Sequence, residues 1–203
     1  MKFDKSIVQT TFQSPLGQMI IAATDKGLAG LWFEGQRHLP PELAPTLATS
    51  CASGVTLPLS PGEGAVLARG GPSRRTAPWP SDPHHPVLKK VARQLDEYFA
   101  GQRTDFNVPL DLAYGTAFQQ SVWQALLAIP QGGTLSYGEV SQRIGKPAAV
   151  RAVGAAVGRN PVSIIVPCHR VLGTNGSLTG YAGGLHRKTA LLKLEGALQE
   201  NMI

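Results

Sequence analysis

Between Ile7 and Phe33 the apolar, β-branched and aromatic residues fall into three short runs: IVQTTFQ, QMIIAA and LAGLWF. Ser14-Pro15-Leu16-Gly17 separates the first two, and Asp25-Lys26-Gly27 precedes the third. Runs of this length with such punctuation predict an antiparallel meander. The period changes at Pro86, after which Leu88, Val91, Ala92, Leu95, Tyr98 and Phe99 recur three and four residues apart. That spacing predicts a helix, which Gly101 can close, packed on the meander as a small α/β unit. Thr116-Ala117-Phe118-Gln119 and Ser136-Tyr137-Gly138-Glu139 each place a hydroxyl three residues before Gln or Glu, the capping-box pattern. The first opens an apolar run ending at Ile129, and the second a short helix to Ile144. Gly145-Lys146-Pro147 is a break, and Ala148 to Val157 reads as a second short helix stopped by Gly158. Two short helices around so tight a turn predict a helix-turn-helix. Beyond Arg159-Asn160-Pro161, the apolar stretch Val162 to Val166 predicts a strand that delivers Pro167-Cys168-His169-Arg170-Val171.

Composition divides the chain. Of its 16 prolines, ten lie between Pro40 and Pro86 with no sustained periodicity. Proline removes backbone donors and restrains its neighbour, so 40–85 is expected to be a flexible connector, with Cys51 an incidental thiol. The 203 residues, 42% hydrophobic and 16% charged, suit one large globular domain or two small ones. No apolar run approaches bilayer length, and MKFDKSIVQTTF lacks a signal peptide's pattern, so a cytoplasmic protein is expected. Two cysteines and five scattered histidines offer neither a disulfide framework nor a metal motif. Net charge is +6, and from Gly132 onward eight Lys and Arg face three acids. An excess of that kind is either a solvated face or a footprint for phosphates.

The candidate chemistry centres on Cys168. A cysteine after an apolar stretch is commonly a core residue, but His169 and Arg170 follow it directly, and positive charge favours the reactive thiolate. Neighbours in an extended segment point to opposite faces, so His169 is expected to act through a water. A histidine base needs an orienting partner, and Glu195 is the only acid between His169 and Glu200.

The stretch SYGEVSQRIGKPAAVRAVGAAVGRNPVSIIVPCHRV, followed by TGYAGGLHRKTALLKLEG, closely resembles the methylated-DNA–protein-cysteine methyltransferases. The likeness covers residues 86–198, and the N-terminal meander resembles the family more loosely. It implies a ribonuclease H-like α/β N-terminal domain (1–39 and 86–112) and a mainly helical, winged helix-turn-helix-type domain (113–203), joined by the connector 40–85. It further implies a monomer that binds the minor groove of double-stranded DNA containing O6-alkylguanine, flips the damaged base, and keeps the alkyl group on Cys168 irreversibly. O4-alkylthymine is a further expected substrate, and neither cofactor nor metal is expected. By motif position, His169 deprotonates Cys168 through water, Glu195 holds His169, and Asn160 fixes the turn before the cysteine. Arg151 would fill the gap left by the flipped base, and Tyr137 would crowd the 3′ phosphate and contact the extruded base. Val171 (through its carbonyl), Tyr181, Ala182 and Gly183 would complete the pocket. Extrusion costs a few kcal/mol of unstacking, part of which an inserted side chain offsets, and a planar, permanently charged guanidinium suits that position. The connector is longer and richer in proline than the family's usual link, and Val150 stands where a smaller residue is common. Relatives' zinc ligands and separate regulatory domain have no counterparts. Rival readings are a lesion-binding protein that does not react, a helix-turn-helix cysteine sensor, and a cysteine hydrolase.

Overall fold

The computed structural model describes residues 6–43 and 79–198. Most of the expected connector, Cys51 included, lies outside the described residues. Strands β1 (Val8–Ser14), β2 (Gly17–Thr24) and β3 (Gly27–Phe33) form the meander read from the sequence, antiparallel and in chain order. Pairs such as Thr10 with Ile21 and Met19 with Phe33 set the register. Side chains alternate across a sheet. Met19, Ile21, Ala23, Leu31 and Phe33 enter the main core, whereas Ala22, Ala29 and Trp32 meet Ile7, Leu43 and Trp79 on the opposite face. Gly30 is dictated by that second cluster, because a Cβ there would lie 1.7 Å from the Trp32 ring.

The ends of the proline-rich stretch join this cluster. Residues 79–82 run beside β1, with Gln9 N–H donating to the Pro80 carbonyl and Asp82 N–H to that of Gln9, each at 2.9 Å. A 3-10 turn at Pro41–Leu43 tucks Leu43 beneath Trp32. Proline content does not disclose that single apolar side chains anchor the two described ends of the stretch.

Helix α1 (Pro86–Phe99) buries Leu88, Val91, Leu95 and Tyr98 beside the sheet. The outer edge of β3 then takes two partners. Leu28 exchanges 2.8 Å backbone bonds with Pro109 and Asp111, and Leu31 does the same with Pro161 and Ser163. The C-terminal half is therefore hydrogen-bonded onto the sheet, and one apolar core runs through both halves.

In that half, α2 (Ala117–Leu127) packs against α3 (Tyr137–Arg143) and α4 (Val150–Gly158). Both capping boxes are formed, at Thr116 with Gln119 and at Ser136 with Glu139. The buried Trp123 indole donates to the Ala156 carbonyl at 3.0 Å and ties α2 to α4. Strand β4 (Leu135–Ser136) pairs in parallel with β5 (Val171–Leu172), and α5 (Leu185–Leu194) closes the described chain.

Two sequence expectations change. The second short helix begins with a 3-10 turn at Pro147–Ala149, so its α-helical part starts at Val150. The expected strand Val162 to Val166 does not form: Val162 alone bridges to Leu31, and Ile164 turns the chain at φ 70°. The left-handed region is costly for a β-branched residue, and tight packing around Ile164, 1% exposed, holds it there. Among the described residues, no helix is long and apolar enough to cross a membrane.

Candidate active site

The turn before Cys168 and the Asn160 side chain hold the sulfur in place. The reversal at Ile164 brings the Val166 N–H back to the Val162 carbonyl at 3.0 Å, and Asn160 fills the loop so made. Its Oδ1 accepts from the Val162 N–H at 3.0 Å, while Nδ2 faces the carbonyls of Val162 (3.2 Å) and Val166 (2.7 Å) and the Cys168 sulfur (3.0 Å). An amide nitrogen has two protons for these three acceptors, so the sulfur competes with backbone for a donor.

Cys168–Arg170 is a 3-10 turn, not extended chain, so the argument that neighbours face opposite sides does not apply. The turn sends His169 and Arg170 inward to Glu195, the residue capping the C-terminal end of α5. His169 Nε2 lies 2.9 Å from Glu195 Oε1, and Arg170 grips the same carboxylate through Nε and Nη2, both at 2.8 Å. Arg170 also donates to the Ile129 carbonyl.

These contacts set the protonation states. Despite its burial, Glu195 is held down to about 2 by its bonds to Arg170 and His169 and by the Arg170 charge, so it is an acceptor-only carboxylate. The proton between them therefore sits on His169 Nε2. Burial holds the His169 imidazole below its usual value, leaving it neutral with a lone pair on Nδ1. That Nδ1 is buried and meets no hydrogen-bonding group among the described residues.

The expectation that His169 and Arg170 depress the Cys168 pKa is reversed. Burial pushes the thiol up; Asn160, the Lys188 charge and the backbone N–H groups of Cys168 and His169 offset only part of this. Arg170's charge is paired with Glu195. At rest the pair is thiol and neutral imidazole, and a base is needed to make the nucleophile.

Cys168 opens into a cavity of about 130 Å³ walled by Tyr137, Gly154, Val157, Tyr181 and Ala182. The Tyr137 hydroxyl donates toward the Thr179 and Gly180 carbonyls at 3.3 and 3.4 Å, joining the start of α3 to the opposite wall. The fully buried Lys188 ammonium, lowered to about 8 by burial, donates to the Val171 carbonyl at 2.6 Å and to that of Thr179 at 2.8 Å. Neither Val171, which is fully buried, nor Gly183 lines this cavity. Gly183 lies where a Cβ would come within 2.8 Å of the Tyr181 ring and 3.1 Å of Phe33. Arg151 is exposed on α4, one turn before the cavity-lining Gly154.

The sequence of residues 7–112 matches the ribonuclease-like domain of 6-O-methylguanine DNA methyltransferase, and residues 117–197 match its DNA-binding domain. The chain belongs to this methyltransferase family. The methylated-DNA–protein-cysteine methyltransferase of Mycobacterium leprae is 58% identical over 113 residues, covering 56% of this chain and 68% of that protein. The crystal structure of Mycobacterium tuberculosis O6-methylguanine methyltransferase aligns over 96% of both chains at 39% identity, with a TM-score of 0.70. A Mycobacterium tuberculosis relative crystallised in complex with DNA aligns over 92% of this chain and 91% of that one at 42% identity, with a TM-score of 0.69.

Several residues around this cavity and its cysteine were not legible as such in the sequence. Arg37 and His38, in the turn after β3, line the cavity, and the Arg37 N–H donates to the Ala182 carbonyl at 3.0 Å. Nothing in their local pattern marks them, because the link is made by the docking of the two halves. Lys188 reads as an ordinary surface residue of an amphipathic helix. Arg170 stood out for its charge, but its partner depends on a turn that the apolar run before it conceals.

Proposed function

We propose that Cys168 accepts an alkyl group from O6 of guanine in DNA, in one irreversible turnover per protein molecule. The observation that carries the reading is a buried thiol on the wall of a small cavity, bonded to Asn160 and adjacent to a neutral His169 oriented by Glu195. His169 Nδ1, acting through a water, takes the thiol proton as the sulfur attacks the alkyl carbon in line. The S–C bond forms as the C–O6 bond breaks, guanine leaves with the bonding electrons, and the proton it needs at N1 balances the one lost by Cys168. A thioether offers water no leaving group, and no residue of the site regenerates the thiol.

Reaction inside a 130 Å³ cavity requires that the base leave the duplex. Helix α4 supports both tasks, since its exposed start carries Arg151 and its next turns wall the cavity. We assign α4 to the minor groove, Arg151 to the space vacated by the base, and Tyr137, Tyr181, Ala182 and the Val171 carbonyl to the base itself. Lys188 already bonds that carbonyl, and a carbonyl oxygen has a second lone pair with which to accept from a guanine amino group.

With a duplex oligonucleotide containing O6-methylguanine in excess, repair is expected to stop at one lesion per protein molecule. Cys168→Ala is expected to abolish repair and to retain binding to the same duplex. Continued turnover, or repair by the variant, would exclude the reading.

A further inference from the structure

Glu195 has more partners than orienting a histidine requires. Tyr98, on α1 of the N-terminal α/β unit, places its hydroxyl 2.7 Å from Oε1, the oxygen that His169 Nε2 reaches at 2.9 Å and Arg170 Nη2 at 2.8 Å. Tyr98 is 1% exposed, and its ring is fixed by Phe99 and Phe106, with centroids 5.3 and 5.4 Å away. A helix whose sequence pattern makes it scaffold therefore puts a donor on the carboxylate behind the base, 97 residues away in the chain.

We propose that Tyr98 is a positioning residue of the transfer reaction, through which the N-terminal unit holds Glu195 and limits its pull on His169. The proposal rests on the assignment of Cys168 as acceptor and His169 as its base. Three donors converge on one carboxylate oxygen, and each shares the charge that stabilises an imidazolium. Burial and the adjacent Glu195 raise the Tyr98 phenol, so it donates throughout the working range. The charged groups facing His169 are Lys188 from α5, Glu195 at that helix's end, and Arg170 from its own turn. Tyr98 acts on it through Glu195. Loss of the phenol donor leaves more of the carboxylate's charge to the Nε2–H, so His169 becomes the stronger base. It is then protonated, and useless as a base, at a higher pH.

The test uses the full-length protein and free O6-benzylguanine, which requires no DNA. In Tyr98→Phe the ring and its packing remain. The acid limb of the rate–pH profile is expected to move up by about half a unit, the equivalent of one neutral hydrogen bond. The His169 titration, followed by nuclear magnetic resonance, is expected to move with the limb. Leu88→Val, a buried change at the other end of the same helix that touches neither Tyr98 nor Glu195, is expected to lower the melting temperature and leave both midpoints in place. Unmoved midpoints in Tyr98→Phe overturn the proposal, whatever happens to the plateau. If that variant does not fold, the wild-type protein decides: a Tyr98 hydroxyl proton shielded from exchange, with a nuclear Overhauser contact to the His169 Nε2–H, supports the role, and its absence overturns it. A wild-type protein that takes no benzyl group on Cys168 overturns the acceptor assignment instead, and the His169 titration still judges Tyr98.

Discussion

In the proposed chemistry Asn160 and Glu195 support the reacting pair, and each is saturated with partners. Asn160 holds a non-repetitive turn and the sulfur together, whereas Glu195 gathers His169, Arg170 and Tyr98. The carboxylate ties stability to pH with a definite sign. Its folded value, about 2, lies below the ordinary 4.5, so its contribution is complete above about pH 4.5 and is lost as pH falls toward 2. Urea unfolding is expected to show a loss of roughly 2–3 kcal/mol across that window, and a flatter profile in Glu195→Gln. An unchanged pH profile in that variant would contradict the ion-pair assignment. Cys168, His169 and Glu195 were legible in the sequence because the motif keeps two of them adjacent and leaves one acid to orient the histidine. The sign of the thiol's shift was not, because burial at 5% exposure outweighs charges that the turn directs elsewhere.

The helices were readable and the loops between them were not. Periodicity and capping boxes locate α1, α2 and α3 closely, since side-chain spacing and end-capping are local physics. The run Val162 to Val166 misleads because uninterrupted apolar residues fit a buried strand and a buried turn equally well. Only the docking against β3 and the conformation of Ile164 decide between them. Helix α4 carries the element-scale prediction. Arg151→Ala removes an exposed side chain that does not line the Cys168 cavity, so reaction with free O6-benzylguanine is expected to stay within about twofold. Repair of O6-methylguanine in duplex is expected to slow by tenfold or more, on the order of the few kcal/mol that unstacking costs. Equal loss on both substrates, measured as single-turnover rates, would contradict the assigned role in extrusion.

Across the whole molecule, the two halves behave as one structural unit around the thiol. β3 bonds to Pro161 and Ser163, Arg37 bonds to Ala182, and Tyr98 bonds to Glu195, so the α/β half braces the segment before the cysteine, the cavity wall and the base. Pattern reading separates the halves because such contacts leave no periodic trace in either segment. The central claim is the identity of the acceptor, and a methyl-adduct map tests it most directly. After reaction with a duplex carrying O6-methylguanine, digestion and mass spectrometry are expected to find one methyl group on Cys168 and none on Cys51. A methyl group on Cys51, or an unmodified Cys168 in a sample whose lesion has been repaired, would contradict the account.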